Sequence, residues 1–174
     1  MTLSFTRIAV LVVSLSCSAQ VFTVGRAGHG HMSELSPEQK AILAPALQDV
    51  TGEHAPNILR SFTVYTVPLS RTDAPAIIAI SVYVGCGVNP NCEFLVFRQD
   101  GDKDTLILQD VAGDWDLNST RHHGYRDLVL TNYQGVRTVL SVWQFDGRRY
   151  CMSSQIERYS DGTQKQLPVN RCVG

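Results

Sequence analysis

The sequence AIIAISVYV, residues 76–84, decides the fold, since eight of its nine residues are apolar and most of these are β-branched or aromatic. Such residues favour strands. Because the apolar residues are nearly continuous rather than alternating, the run predicts a strand that is buried on both faces.

Further strand signals lie on both sides of this run. They predict strands at Phe62 to Val67, Phe94 to Arg98, Thr105 to Gln109, Leu128 to Asn132, Val136 to Phe145 and Tyr150 to Arg158. Tight turns are indicated at Asp100-Gly101, Gln134-Gly135 and Asp146-Gly147, because glycine supplies the positive φ that hairpin turns need. Consecutive strands joined by short turns predict an antiparallel meander, and strands do not alternate with helices as in a parallel nucleotide-binding sheet.

A helix is predicted before the first strand. Ser36, Pro37 and Gln39 have the spacing of a capping box with proline in the first turn. Pro45 interrupts the apolar stripe that follows, and predicts a kink or two short helical pieces. A further helical turn is expected near Pro56 to Leu59. The sequence thus predicts an α+β fold in which a kinked N-terminal helix precedes a predominantly antiparallel sheet.

The first 27 residues have the layout of a secretory signal. Met1 to Arg7 carries a positive charge and no acid, and Ile8 to Val24 is largely apolar. Cleavage is expected after Ala19 or Ala27, and lipidation of Cys17 is an alternative. Residues 28–35 are then a flexible N-terminus and residues 36–174 a single domain. The predicted location is periplasmic or secreted.

Four of the five cysteines lie beyond this leader, and an even number favours an oxidising compartment. Cys86 and Cys92 flank a short strand-to-strand loop that a disulfide would close. Cys151 and Cys172 pair by exclusion. Four cysteines allow three connectivities, so the sequence leaves the pairing open.

Charge and hydropathy exclude several classes of function. The chain has 15 basic and 16 acidic residues, and the basic ones are scattered. A nucleic-acid partner is therefore not expected, because phosphate binding needs a basic stripe. The segment after the leader lacks a run long enough to span a membrane. The cysteine spacing does not match a zinc site, so no cofactor or metal is expected.

Residues 114–128 form the densest polar stretch and support three hypotheses. Calcium binding is disfavoured, because Arg121 and His123 stand at positions where a calcium loop needs oxygen ligands. Of the other two, one is catalysis by His122 or His123 with Asp114, Asp116 or Asp127, because a histidine beside a carboxylate is the usual general base. Adjacent histidines on a strand point to opposite faces, and no Gly-x-Ser-x-Gly motif accompanies them. The other is a non-catalytic binding surface, for which the candidate residues are Arg121, His122, His123 and Tyr125 together with Asn89, Pro90 and Asn91 of the cysteine-flanked loop.

Three segments of this chain resemble a group of small secreted bacterial proteins that have no assigned activity. They are the cysteine-flanked hairpin Cys86 to Phe97, His123-Gly124-Tyr125-Arg126-Asp127-Leu128, and Trp143-Gln144-Phe145-Asp146-Gly147-Arg148-Arg149-Tyr150. The resemblance covers roughly residues 76–150 and implies a fold and an envelope location.

The loop from Cys86 to Cys92 is also similar to that of Ivy-type periplasmic lysozyme inhibitors, in which a disulfide-closed loop enters the lysozyme cleft. Here the loop is longer and lacks the histidine of those inhibitors. The expectation is therefore a non-enzymatic binding protein acting through its loops, with a lysozyme-like hydrolase as candidate partner. The alternatives are an envelope hydrolase or metal-dependent enzyme using His122, His123 and Asp127, and a structural envelope component.

Overall fold

The computed structural model describes residues 35–52, 57–82, 86 and 90–169. Of these residues 58% lie in strands, which form two antiparallel sheets, and one short helix accompanies them. The predicted α+β class with one meander is wrong. The described part of the chain is mainly β, and the strands are divided between two sheets.

Both sheets are meanders in which each strand pairs with the next along the chain. The first sheet has the order β1 to β4 and the second the order β5 to β9. The strands of the first sheet are β1 (Phe62–Val67), β2 (Ala76–Ser81), β3 (Cys92–Asp100) and β4 (Lys103–Ala112). Those of the second are β5 (Asp114–His122), β6 (Tyr125–Gln134), β7 (Arg137–Phe145), β8 (Tyr150–Tyr159) and β9 (Gln164–Leu167).

Seven of these strands overlap the seven that the sequence predicts, and two were missed. β5 falls in the polar stretch that was interpreted as a functional segment, and β9 is polar and mostly exposed. The predicted strand from Ala76 ends at Ser81 in the structure, and residues 83–85 lie outside the described residues.

The helix α1 spans Pro37–Thr51 with Pro45 inside it, so the segment is one helix rather than two pieces. Its N-terminus has the predicted capping box: the Ser36 hydroxyl accepts a hydrogen bond from the Gln39 backbone N–H, and the Gln39 side chain accepts one from the Ser36 N–H. A single 3-10 turn follows at Ile58–Ser61, close to the predicted helical turn.

The first sheet is the middle of three layers. One face packs against α1, with Leu43 and Leu47 of the helix over Ile77 and Leu95 of the sheet. The other face packs against the second sheet, in a core that contains Ile78, Phe94, Val96, Trp115, Leu128 and Leu130. Since β2 contributes Ile77 to one face and Ile78 to the other, and both are fully buried, its predicted burial on both faces is confirmed.

The disulfide between Cys86 and Cys92 is present, as predicted, and links the end of β2 to the start of β3. Of the two predicted disulfides, the described residues show this one, and Cys172, the predicted partner of Cys151, lies outside them. The leader, Cys17 and the predicted flexible N-terminus up to residue 34 also lie outside them. No helix within the described ranges is long and apolar enough to cross a membrane.

One carboxyl group in the first sheet has an unfavourable environment. Both oxygens of Asp104, near the start of β4, are buried and have no hydrogen-bond partner among the described residues. Burial, with a smaller contribution from the nearby Asp100 carboxylate, raises the pKa of Asp104 to about 6. Since the folded-state pKa lies above the ordinary 3.8, ionisation of Asp104 opposes folding, and this cost grows as the pH rises from 4 through 6.

We therefore expect Asp104→Asn to stabilise the protein at pH 7 by about 1 kcal/mol, a value reduced for the partial exposure of the residue, and to have little effect at pH 4. Urea unfolding of both proteins between pH 4 and pH 8 measures the difference. Asp102→Asn, in the exposed β3–β4 turn, is the matched control and should show no such trend. A stability difference for Asp104→Asn that does not change with pH would contradict the assignment.

Candidate functional site

Four of the predicted site residues lie at the turn between β5 and β6. His122 pairs with Tyr125 across the hairpin, and the turn residues His123 and Gly124 have φ values of 48° and 84°. Two successive residues with positive φ are the mark of the tight hairpin turn whose twist matches that of the strands. His123 and Gly124 therefore serve first to close this hairpin.

Tyr125 lies in the core between the sheets rather than on a surface. It is 6% exposed, and its ring stacks on Phe145 with the centroids 4.1 Å apart. Its hydroxyl donates a hydrogen bond to Asp73 in the β1–β2 connection. Burial and this bond raise the pKa of Tyr125 to about 12, and the same bond lowers the pKa of Asp73. Tyr125 thus attaches the hairpin to the first sheet.

Arg121 makes a second attachment between these elements. Its Nη1 donates to the carbonyl oxygens of Leu69, at 2.7 Å, and Gly124, at 2.9 Å. The Arg126 backbone N–H donates to the same Leu69 oxygen, and its guanidinium donates to backbone carbonyls of β5. Because both arginines satisfy backbone oxygens, their contacts within the described residues are structural.

His122 and Asp127 are brought together, as the catalytic hypothesis requires. His122 Nδ1 lies 2.6 Å from Asp127 Oδ1, and the Asp127 side chain is 2% exposed, against 39% for that of His122. The buried carboxylate orients the imidazole and leaves Nε2 for another contact. The exposed His123 is not part of this pair: it lies against the β7–β8 turn, since a β-carbon added at Gly147 would be 3.9 Å from its Nδ1.

The remaining predicted residues lie in the connection between β2 and β3, which we call the disulfide loop, residues 86–92. Pro90 is exposed, and Asn89 lies outside the described residues. Asn91 contacts the second sheet: its Nδ2 donates to the Tyr133 carbonyl oxygen at 2.7 Å, and its Oδ1 accepts from the Tyr133 N–H at 2.8 Å. Both halves of the amide thus pair with the backbone of β6, as a neighbouring strand would.

The chain crosses from the first sheet to the second at Gly113, next to this contact. A β-carbon at Gly113 would overlap the Tyr133 ring and lie 2.9 Å from Asn91 Oδ1. No other residue fits that space without displacing them. Glycine at 113 therefore allows the disulfide loop, the crossing and β6 to come together.

A cleft of about 350 Å³ opens between the two sheets at this end. Its aromatic lining residues are Tyr65, Phe94 and Trp115, of which Phe94 is fully buried. The Trp115 ring lies 5.6 Å from that of Tyr65, nearly perpendicular to it, and 6.0 Å from that of Phe94. Other lining residues are Thr63, Ile80, Ser81, Val82, Ala112, Gly113 and Asp114. The disulfide lies beside the cleft, because Cys86 Sγ is 3.5 Å from the carbonyl oxygen of Ser81, a lining residue.

The cleft and the β5–β6 turn lie at opposite ends of the sandwich. β5 runs from Asp114, in the cleft, to His122, at the turn. Nine residues of strand separate the two by roughly 25 Å. The structure therefore does not form one surface from the disulfide loop and Arg121 to Tyr125. Within the ranges that the structure describes, no three histidine, cysteine, aspartate or glutamate side chains form a metal-binding group.

Comparison of the chain with protein-family models, with curated proteins and with solved structures finds no match. The two resemblances drawn from the motifs of residues 76–150 therefore stay predictions.

Sequence reasoning missed the cleft itself. A signal for part of it exists, since Asp114-Trp115-Asp116-Leu117 alternates polar and apolar residues, as does a strand with one buried face. No comparable signal marks Asp73 as the partner of Tyr125, because 52 residues separate the two in the chain.

We expect Asn91→Ala to destabilise the protein by about 2 kcal/mol, because two hydrogen bonds to the β6 backbone are lost and those backbone groups stay partly buried. Chemical unfolding measures this change. Asn118→Ala is the matched control: its side-chain oxygen receives only a 3.4 Å contact from the Thr120 N–H, so its effect should be below about 0.5 kcal/mol. Equal effects of the two substitutions would show that Asn91 does not connect the sheets.

Proposed function

We propose that this protein is a non-enzymatic binding protein of the periplasm or the extracellular space, and that it holds its ligand in the cleft beside the disulfide loop. The observation that carries the proposal is the aromatic cleft between the sheets, bordered by a disulfide-closed connection.

The form of the cleft supports this proposal. Its volume of about 350 Å³ is within the usual range for ligand sites, and its lining combines polar groups, among them Thr63, Ser81 and Asp114, with aromatic and aliphatic ones. Phe94 and Trp115 are nearly fully buried and hold fixed positions in the core, whereas Tyr65 is half-buried. A preformed site binds more tightly than a mobile one, because less side-chain and loop entropy is lost on binding.

The disulfide supports the proposed compartment. Structural disulfides persist in oxidising environments, and the bond between Cys86 and Cys92 belongs to that class. The leader-like sequence of the first 27 residues is the second support, since it has the charge and apolar pattern of an export signal.

The proposed partner is a lysozyme-like hydrolase. The support is the position of the disulfide loop, which connects the adjacent antiparallel strands β2 and β3 and borders the cleft. Asn91 holds one end of the loop against β6. Pro90 is exposed beside it and is available for contact with a partner.

Binding of the purified oxidised protein to representative lysozymes of the different structural classes, measured by calorimetry, tests the proposal. Thr63→Tyr, on the edge strand β1, places a larger side chain in the cleft and should weaken binding at least tenfold, which corresponds to about 1.4 kcal/mol. His123→Ala, at the opposite end, is the control and should leave the affinity unchanged.

Absence of binding to every class would reject the hydrolase partner. Loss of binding in His123→Ala, with full binding by Thr63→Tyr, would move the site to the β5–β6 turn and reject the cleft.

The pairing of His122 with Asp127 favours a second function, an envelope hydrolase. An imidazole oriented by a buried carboxylate can act as a general base through its other nitrogen. Its placement opposite the cleft makes this function independent of the first.

Hydrolysis of an activated ester such as p-nitrophenyl acetate tests this alternative. His122→Gln should then lower the rate at least a hundredfold, in line with the usual contribution of a general base, whereas His123→Gln should not. A wild-type rate equal to that of the buffer, or equal losses in both variants, would reject it.

A further inference from the structure

We propose that the cleft binds a guanidinium group, presented by an arginine side chain of the partner. This inference rests on the proposed binding function and names the chemistry that the cleft recognises.

The charges around the cleft are the first support. Asp114 lines it, is exposed at its rim and accepts a hydrogen bond from the Trp115 N–H through Oδ1 at 2.8 Å. Its Oδ2 has no hydrogen-bond partner among the described residues. None of the described lining residues is a lysine, an arginine or a histidine. The carboxylate therefore lacks a counter-charge from the cleft itself.

Asp110 adds a second carboxylate beside the same wall. Asp110 pairs with Phe94 across β3 and β4, and cross-strand partners lie on the same face of a sheet. Asp110 also precedes Ala112 by two residues, and alternate residues of a strand lie on the same face. Since Phe94 and Ala112 both line the cleft, the Asp110 side chain lies on the cleft face of the sheet. Burial raises the pKa of this carboxyl group. Asp110 is not itself a lining residue, but a cation in the cleft would favour its ionised form, which burial disfavours.

The aromatic groups of the cleft are the second, independent support. Tyr65, Phe94 and Trp115 line one cavity, and because Phe94 is fully buried, the rings with exposed area are the half-buried Tyr65 and the edge of Trp115. A cation within about 6 Å of a ring centroid is attracted by the π system, and tryptophan is the strongest partner.

Guanidinium fits this combination better than an ammonium ion. It is planar, can stack on an aromatic ring and can donate two parallel hydrogen bonds to a carboxylate, and it is less strongly hydrated. An ammonium ion would lose more hydration on entering a cavity whose walls include Ile80, Phe94 and Ala112. An uncharged polar ligand would leave the two carboxylates without compensation.

Calorimetric titration with N-acetyl-arginine N-methylamide, and with the isosteric uncharged citrulline compound, tests the inference. The arginine compound should bind at least tenfold more tightly than the citrulline compound. Asp114→Asn should weaken arginine binding at least tenfold, and Asp102→Asn, exposed at the far end of the first sheet, should not. Equal binding of the two compounds, or no effect of Asp114→Asn, would overturn the proposal.

Two further measurements keep the result interpretable. Asp110→Asn should also weaken arginine binding. If circular dichroism shows that Asp114→Asn does not fold, Asp110→Asn takes its place as the test variant. Unchanged arginine binding by the folded Asp110→Asn would then overturn the proposal.

The hydrolase is also tested after its arginines are modified with phenylglyoxal. If the unmodified hydrolase binds and modification does not weaken binding, the inference fails and the proposed function stands. If the arginine compound binds and no hydrolase does, the proposed partner fails and the guanidinium specificity stands.

Discussion

The first sheet must be covered on both faces, and the rest of the structure follows from this constraint. Its central strands β2 and β3 place fully buried residues on each side: Ile77 and Leu95 on one, Ile78 and Val96 on the other. Exposing either face would leave several large apolar side chains in water, each at a cost of about 1.5–3 kcal/mol. One short helix covers one face, and the second sheet covers the other. Among the described residues, this second cover is incomplete at the end where the chain crosses between the sheets, and the cleft lies there.

The crossing itself determines what surrounds the cleft. Gly113 allows close approach of the Tyr133 ring and of the Asn91 side chain, and Asn91 uses its amide to continue the hydrogen bonding of β6. Because Cys92 follows Asn91 directly, the disulfide and the amide contact together hold one end of the disulfide loop against the second sheet. The borders of the cleft are thus positioned by a covalent bond and by backbone hydrogen bonds rather than by side-chain packing alone.

Local sequence predicts the strands of this protein well and their assembly poorly. The strands β1 to β4 and β6 to β8 have apolar or β-branched runs bounded by glycine or proline, and these signals are contained in short segments. β5 was missed because Asp114 and Asp116 made its first half look like a polar functional segment, although Trp115 and Leu117 between them are buried. The division into two sheets has no local signal, because a glycine turn looks the same whether the next strand continues a sheet or begins another. The cleft depends on that division, since its residues come from β1, β2, β3 and the start of β5.

The polar stretch around the β5–β6 turn shows why a dense group of charged residues is a poor guide to function in this fold. The hairpin contacts the β1–β2 connection through Tyr125 on Asp73 and Arg121 on Leu69. The buried Leu69 carbonyl oxygen needs a donor when the hairpin packs over it, because a buried acceptor without a partner costs about 1–3 kcal/mol. Arg121 supplies that donor, and the buried Tyr125 hydroxyl finds its acceptor in the exposed Asp73 carboxylate, so much of the polarity of the segment is accounted for by the folded structure. At the cleft the balance is reversed: the Asp114 carboxylate lines it together with aromatic residues, Asp110 is the cross-strand neighbour of the lining Phe94, and no basic side chain belongs to the described lining. Recognition is therefore better sought where the fold leaves charge uncompensated than where charged residues are most numerous.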